Sequence, residues 1–483
     1  MFCVWAADLC PASFGDTFGA RGRITVLLGE TVAGRVGRRL CRVEQPREPI
    51  RVISTAWYTH VSLLRGWAPY MVDAVAFTTF LCGVAWWRRP PWHWVAIAGM
   101  AGVAALVLAH VIDAPTRFGS TYPRSFLVWG ALPLFALGAA AWQWPKVGWA
   151  RRCVALVAIP ALAIFAGLQI NMHYGHVPTI GDLLHAPLPG QVSPARLLIP
   201  SGGREPAGVG DAALASRGRV THVDIPAPES RFDHRRGWIW VPPAYFSVPH
   251  PRLPVLMLIA GTPGSPDDWF RAGEALTLAD QWAAAHNGVA PVMVLPDANG
   301  SGTGDTECVD GPHGNAETYL TVDVPRFMIE HFGVAPGSRQ WAVAGLSEGG
   351  TCALTLVARH PDRFSSFADF AGNAAPTLGS VERTIRSLYN GSTADWRAHD
   401  PVQWFAKDAS AGVEGFFVVG RGDHGDIQSV TSLAADARAA HLRTFVEILP
   451  GGGHNWYTWK RALRLTYPWL VARLGSGQTD TTS

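Results

Sequence analysis

A serine set between glycines, Gly345-Leu346-Ser347-Glu348-Gly349, is the stretch of this chain best suited to covalent chemistry. It follows the apolar run 340–344 and precedes a helix-like run over 350–360. That strand–turn–helix setting exposes a serine hydroxyl on a sharp turn, with glycines where a Cβ would strike the neighbouring strand or helix. A serine hydroxyl is a weak nucleophile at neutral pH and needs a base, itself oriented by a third group. On a sheet of this type the partners follow in the order Ser, then Asp or Glu, then His. The run 415–419 leads into Gly420-Arg421-Gly422-Asp423, and 444–449 leads into Pro450-Gly451-Gly452-Gly453-His454. His454 is therefore the expected base. Asp423, directly after its strand, is the expected acid. Asp426 on the same loop is the other candidate, and just before Ile427 it also reads as a helix N-cap. The tetrahedral oxyanion calls for preorganised N–H donors. The amide of Glu348 is one. The other falls in Gly261-Thr262-Pro263-Gly264, where Pro263 has no N–H and Thr262 is preferred over Gly264.

Loops of this kind need a frame. Strands are expected at 219–225, 237–241, 254–260, 291–295, 340–344, 366–370, 415–419 and 444–449. Helical patterns lie between and after them, at 267–286, 316–332, 350–360, 427–440 and 457–474. Short apolar strands alternating with helices imply an α/β fold, a doubly wound, mostly parallel sheet covered on both faces. One domain over 219–475 fits the usual size range, with 476–483 as a disordered tail. The segment 373–404 reads as a small cap over the site.

The first half of the chain is different. With 16% charged residues and a net charge of +3, the chain offers no electrostatic case for a nucleic-acid partner. Its 21 tryptophans point to membrane contact instead. Four apolar stretches, 67–87, 92–112, 126–142 and 153–169, each approach the ~20 residues that cross a bilayer as a helix. Tryptophans mark their ends, among them Trp67, Trp86, Trp87, Trp92, Trp142 and Trp149. A transmembrane region of four helices is expected over 66–171. Arg88 and Arg89, and then Lys146, Arg151 and Arg152, place the first and third connections in the cytoplasm. Everything beyond 172 then emerges on the outer side, through a Gly/Pro-rich linker, 172–218, with a short helix at 180–185. The arginine-rich segment 1–65 sits awkwardly with this topology; lacking the layout of a signal peptide, it reads as a disordered extension. Asp73, near the outer end of the first span, is expected at headgroup level and is assigned no role.

The residues 258–264 with Trp269, Asp305-Thr306-Glu307-Cys308, Glu317-Thr318-Tyr319-Leu320, Gly345–Gly350, Arg359-His360-Pro361 and Gly453-His454 with Trp456 and Trp459 carry a family resemblance. Together they resemble the esterases that include S-formylglutathione hydrolase, feruloyl esterases and antigen 85-type mycolyltransferases. The resemblance covers 219–474. It implies an α/β-hydrolase fold, a Ser347–Asp423–His454 triad and oxyanion donors at Thr262 and Glu348. Some members use Glu as the acid, where this chain offers Asp. Water and sugar or alcohol acceptors both occur in the family. Ester hydrolysis through an acyl-enzyme on Ser347 is thus implied, with acyl transfer onto an envelope sugar as the alternative. A domain on the outer side behind four spans is similar to membrane-anchored actinobacterial members. Acyl or aminoacyl esters of envelope lipids or glycans are then the expected substrates.

The second half holds two cysteines, Cys308 and Cys352. In an outward-facing domain they would form a disulfide bracing the floor of the site; the alternative is two buried free thiols. No CxxC or His-rich cluster suggests a metal. Asp297, Asp305, Glu307 and Asp310 lack the spacing of a calcium loop and read as turn residues on a polar rim. No cofactor, metal or protein partner is expected. A catalytically silent envelope scaffold is the reading from another class, and the intact Ser/Asp/His set argues against it.

Overall fold

The computed structural model describes residues 57–84, 91–116, 123–408 and 412–475. Most of the expected disordered extension, Trp86 to Arg89, and the tail 476–483 lie outside these residues. Residues 57–65 are ordered, contrary to expectation. Leu63 donates its amide to Pro178 and receives the chain back through Ile180, which donates to Val61, at 2.8 and 3.0 Å.

Four helices come next, α1 (Trp67–Gly83), α2 (Pro91–Thr116), α3 (Arg124–Gln143) and α4 (Trp149–Tyr174). Among the described residues three of them, α2 to α4, are long and apolar enough to cross a membrane, where four were expected. The first falls short because α1 has only 17 residues and the backbone turns extended at Val84, against the ~20 that span a bilayer core. It lies antiparallel to α4, with Ala76 and Phe80 packed beside Leu162 and Phe165. A Cβ on Gly83 would stand 3.1 Å from the Ala155 backbone, so a small residue sets how closely these helices approach. Asp73 accepts a hydrogen bond from Gln169 of α4 at 3.2 Å, a polar pair between two apolar helices. Many side chains of α2 point outward, Val95 and Val103 among them.

Beyond α4 a four-residue helix, α5 (Ile180–Leu183), is capped by Thr179, whose hydroxyl accepts from the Asp182 amide. The main sheet of the second half has eight strands: β1 (Arg219–Val223), β2 (Gly237–Val241), β3 (Val255–Ile259), β4 (Val292–Leu295), β5 (Trp341–Leu346), β6 (Ser366–Phe370), β7 (Glu414–Gly420) and β8 (Arg443–Leu449). Their order is β1-β2-β4-β3-β5-β6-β7-β8. The β1–β2 and β2–β4 pairs are antiparallel and the rest parallel. Central strands β3 and β5 are buried throughout, which is why they read as unbroken apolar runs. Register aligns the strand ends. Ile259 pairs with Gly345, Leu346 with Phe370, and Leu449 with Gly420. The carboxyl ends of β3, β5, β7 and β8 therefore finish along one edge, and four loops leave from it.

The expected helix over 267–286 is two, Asp268–Arg271 and Ala275–Ala285, separated at Glu274, whose φ of 58° is left-handed. The segment 373–404 folds into short helices and is tied down by Glu317. That buried carboxylate accepts from Arg359 Nε at 2.6 Å, His360 Nε2 at 2.7 Å and His399 Nε2 at 3.0 Å. Burial alone would raise its pKa; the three donors hold it well below the usual carboxylate range.

Candidate active site

Ser347 lies on the turn between β5 and the helix Glu348–Arg359, with φ 53° and ψ −125°. A side chain rarely tolerates this left-handed backbone, and its occurrence at the expected nucleophile marks stored strain. The turn is held by neighbours that leave no space. A Cβ on Gly345 would fall 1.9 Å from the Gly349 carbonyl oxygen, and one on Gly349 would fall 2.4 Å from that of Ile259. The Ser347 amide donates to Phe370 at 2.9 Å, pinning the turn to β6.

Three strands away, the glycine loop after β8 folds back over the edge. Gly422 donates to the Gly452 carbonyl, and His454 arrives with Nε2 2.9 Å from Ser347 Oγ. Its Nδ1 hydrogen-bonds to Asp423 Oδ2 at 2.8 Å, and Asp426 Oδ2 stands 2.9 Å from the same nitrogen. The expected division of labour between these acids changes in one respect. The helix begins at His424, not Ile427, so Asp423 occupies the N-cap position and Asp426 lies in the first turn. The Asp423 carbonyl, not its carboxylate, accepts the Ile427 amide. Both carboxylates are thus free to face the imidazole, at a helix N-terminus that favours negative charge. Burial would lower the pKa of His454, but Asp423 and Asp426 outweigh it and raise the ring to about 9. Trp459 meets the imidazole edge-on, with ring centroids 5.0 Å apart. Among the described residues, Asp423, Asp426 and His454 are also the one acidic–histidine group with donor atoms close enough for a metal ion. Both ring nitrogens are already engaged, one by the serine and one by the acid, so the set fits a proton relay better than a metal.

On the other side of Ser347 lies a network that sequence reasoning missed. Thr262 and Glu348, expected to lend their amides, also meet through their side chains. Thr262 Oγ1 is 2.5 Å from Glu348 Oε2 and 2.7 Å from the Gly304 carbonyl. Asn299 Nδ2 donates to both Thr262 Oγ1 and Glu348 Oε2, at 2.8 and 2.7 Å. A hydroxyl has one proton and a carbonyl can only accept. Two short oxygen–oxygen contacts to Thr262 need two protons, so the second belongs to Glu348. Its carboxyl is a neutral acid, pushed up to about 8 by burial and by Asp305 beside it. The one signal in the sequence is a charged residue directly after the nucleophile, at the head of a buried helix.

Of the four acidic residues expected at a polar rim, Asp310 is exposed as expected and accepts the Thr318 amide at 2.9 Å, while the others lie deeper. Glu307 is buried, and burial with Asp305 and Glu348 nearby raises its pKa well above the carboxylate norm. Asp297 is buried too, clasping Arg235 through both oxygens at 3.0 and 2.7 Å. Arg235 in turn donates to the Gly264 carbonyl at 2.9 Å, anchoring the loop that carries Thr262. Cys308, next to Glu307, is joined by a disulfide to Cys352 of the nucleophile's helix, with Cα atoms 5.5 Å apart. Asp369 carries no signal in the sequence. It is buried beneath the elbow, accepts from the Gly372 amide at 2.7 Å, and is pushed up to about 7 by burial.

A family model described as "Putative esterase" matches residues 230–470. An uncharacterized protein of Corynebacterium glutamicum is 33% identical over 337 residues, spanning 68% of this chain and 78% of its own length. An S-formylglutathione hydrolase of Paracoccus denitrificans is 27% identical over 181 residues, which are 34% of this chain and 61% of that protein. The MPT51 antigen of Mycobacterium leprae is 23% identical over 201 residues, 39% of this chain and 64% of the antigen. The match thus spans less than two thirds of either of these last two. Among solved structures, a ferulic acid esterase aligns over 53% of this chain and 98% of its own, at 19% identity and a TM-score of 0.46.

Proposed function

The chain belongs to this esterase family as a carboxylesterase-type hydrolase, and we propose that it is a membrane-anchored serine esterase acting on acyl or aminoacyl esters of envelope lipids or glycans. Ser347 Oγ attacks the ester carbonyl while His454 Nε2 takes its proton, and Asp423 stabilises the imidazolium that forms. The oxyanion is received by the amides of Glu348 and Thr262. Collapse of the tetrahedral species expels the alcohol, which takes the proton back from His454, and leaves the acyl group on Ser347. Water, activated by the same imidazole, then releases the acid.

The observation that carries this reading is the unbroken path from Ser347 Oγ through His454 to Asp423, at 2.9 and 2.8 Å. The reading divides the chain into a membrane region over 66–171, a linker over 172–218 and a catalytic domain over 219–475. Orientation is supported by Lys146, Arg151 and Arg152, which cluster at the end of the bundle opposite the one from which the catalytic half departs. On this reading the esterase faces the outer side.

A fluorophosphonate probe is expected to label the wild type and leave Ser347→Ala unlabelled. Equal labelling of both would remove the serine from the mechanism. Product analysis with an added sugar acceptor separates hydrolysis from acyl transfer, since only a transferase forms the sugar ester at the expense of free acid.

A further inference from the structure

The loops that carry the proposed site are also the ones that touch the end of the last long apolar helix. α4 ends at Tyr174, and Gly175 turns the chain away in the left-handed conformation. Tyr457, three residues past His454, donates its hydroxyl to the Met172 carbonyl at 2.9 Å, inside the final turn of α4. A Cβ on Gly175 would stand 3.0 Å from the Tyr457 ring. His176 lies parallel to Trp456, with centroids 6.1 Å apart, and its Nε2 is 3.2 Å from Asp268. Arg271 donates to the Ala186 carbonyl at 3.1 Å and pairs with Asp182 of α5 at 3.6 Å. Asp268 and Arg271 follow β3; Trp456 and Tyr457 follow β8. Both loops leave the carboxyl edge of the sheet, the edge that holds Thr262 and His454. Three residues of chain reach at most ~11 Å, so His454 is within about that distance of the residue that grips α4.

The same end of the bundle is furnished for a headgroup layer. α1 runs antiparallel to α4, so Trp67 and Tyr70 lie at this level, and both are exposed. Phe126, at the start of α3, packs on His173 and Tyr174. Aromatic side chains at helix ends form the belt at a membrane interface. Leu183 and Leu184, at the end of α5, expose 57% and 59% of their surface beside the loop that Asp182 grips. Two adjacent exposed leucines gain nothing in water and are at home against a bilayer surface.

We propose that the site takes its ester from the bilayer: a membrane-borne amphiphile whose ester carbonyl lies at headgroup level, in preference to a soluble ester or a glycan. This rests on the reading of Ser347 as the acylated nucleophile and of α2–α4 as membrane spans.

The test uses the full-length protein in nanodiscs of phosphatidylcholine and phosphatidylglycerol. Ser347 is tagged with a dansyl fluorophosphonate, and lipids spin-labelled either on the headgroup or deep in the acyl chain are added. Headgroup labels are expected to quench the dansyl strongly, and more than deep labels do. In a second measurement, kcat/KM for an ester carried on a diacyl lipid in the disc is divided by that for the same acyl group on a soluble alcohol. The double variant His176→Ala/Tyr457→Phe is expected to lower this ratio roughly tenfold by loosening the site's placement, with the soluble rate held within about twofold. An unquenched dansyl, or a ratio the variant leaves unmoved, overturns the proposal. Should the variant fail to fold, quenching in the wild type decides. Absence of labelling in the wild type is a separate outcome: it removes the serine-esterase reading and this inference with it.

Discussion

Ser347 stands between two groups of carboxyls that do opposite things. On one side Asp423 and Asp426 face an imidazole at a helix N-terminus, and their negative charge is what raises His454 to about 9. On the other side Glu348 sits among a hydroxyl, an amide and further carboxyls, and burial keeps it neutral with a pKa of about 8. The same functional group is a charge stabiliser in the first setting and a hydrogen-bond donor in the second. Environment decides, not residue type. On the proposed mechanism an oxyanion develops between the two, and a second full negative charge on the Thr262 side would oppose it.

The comparison breaks most visibly at the acid. Asp423→Asn is expected to lower kcat by roughly 10⁴-fold, because an amide cannot hold the imidazole in its working tautomer. Initial rates on a soluble ester check this, and a loss under tenfold would pass the role to Asp426. The opposite side should behave differently. Glu348→Gln keeps a donor toward Thr262 and should stay within about threefold of the wild type, whereas Glu348→Ala releases Thr262 and should lose about 10²-fold in kcat. If the glutamine variant fell as far as Asp423→Asn, the carboxyl would be acting through its charge and the contrast would collapse.

A third expectation sharpens the imidazole side. The base form of His454 accumulates only as pH approaches about 9, so kcat/KM should climb through neutral pH toward that value. Asp426→Asn removes one of the two raising charges and should move the ascending limb roughly one unit lower. A limb that stays in place would leave Asp426 without influence on the ring. The smallest effect is on stability. Glu348 is raised in the folded state, so its contribution is fully present below the unfolded value of 4.5 and is lost as pH rises toward about 8. His454, also raised, adds a loss of the same sign between 6.5 and about 9, but it does so in both proteins. Between about pH 5 and pH 8 the Glu348→Gln variant should therefore lose less in Tm than the wild type, by calorimetry.

Much of this was legible because buried parallel strands advertise themselves. The runs ending at Ile259, Leu346 and Gly420 are largely apolar, that ending at Leu449 is a more polar edge strand, and the residues just past them are the candidate chemical ones. Ser347 and His454 are expected from that order together with the glycines that surround them. The misreadings share a physical cause, which is that a local pattern does not report what lies across from it. Asp426 resembles an N-cap, yet the helix starts three residues earlier and turns its carboxylate to His454. Apolarity continues to Trp87, but α1 stops at Gly83. Glu307 and Asp305 look like surface turn residues, and only the tertiary fold reveals that the loop carrying them is pressed against the nucleophile's helix.

The bridge that presses it there has a temporal consequence. Cys308 and Cys352 are both inaccessible to solvent, so a small thiol reductant cannot reach the sulfurs while the native state persists. Closing a loop of 44 residues restricts the unfolded chain by about 4 kcal/mol on the loop-entropy account. Whether the loop carrying Glu307 is clamped to the helix that begins at Glu348 is accordingly decided once, as the polypeptide folds, and the folded protein keeps that decision whatever the redox state of its surroundings later becomes.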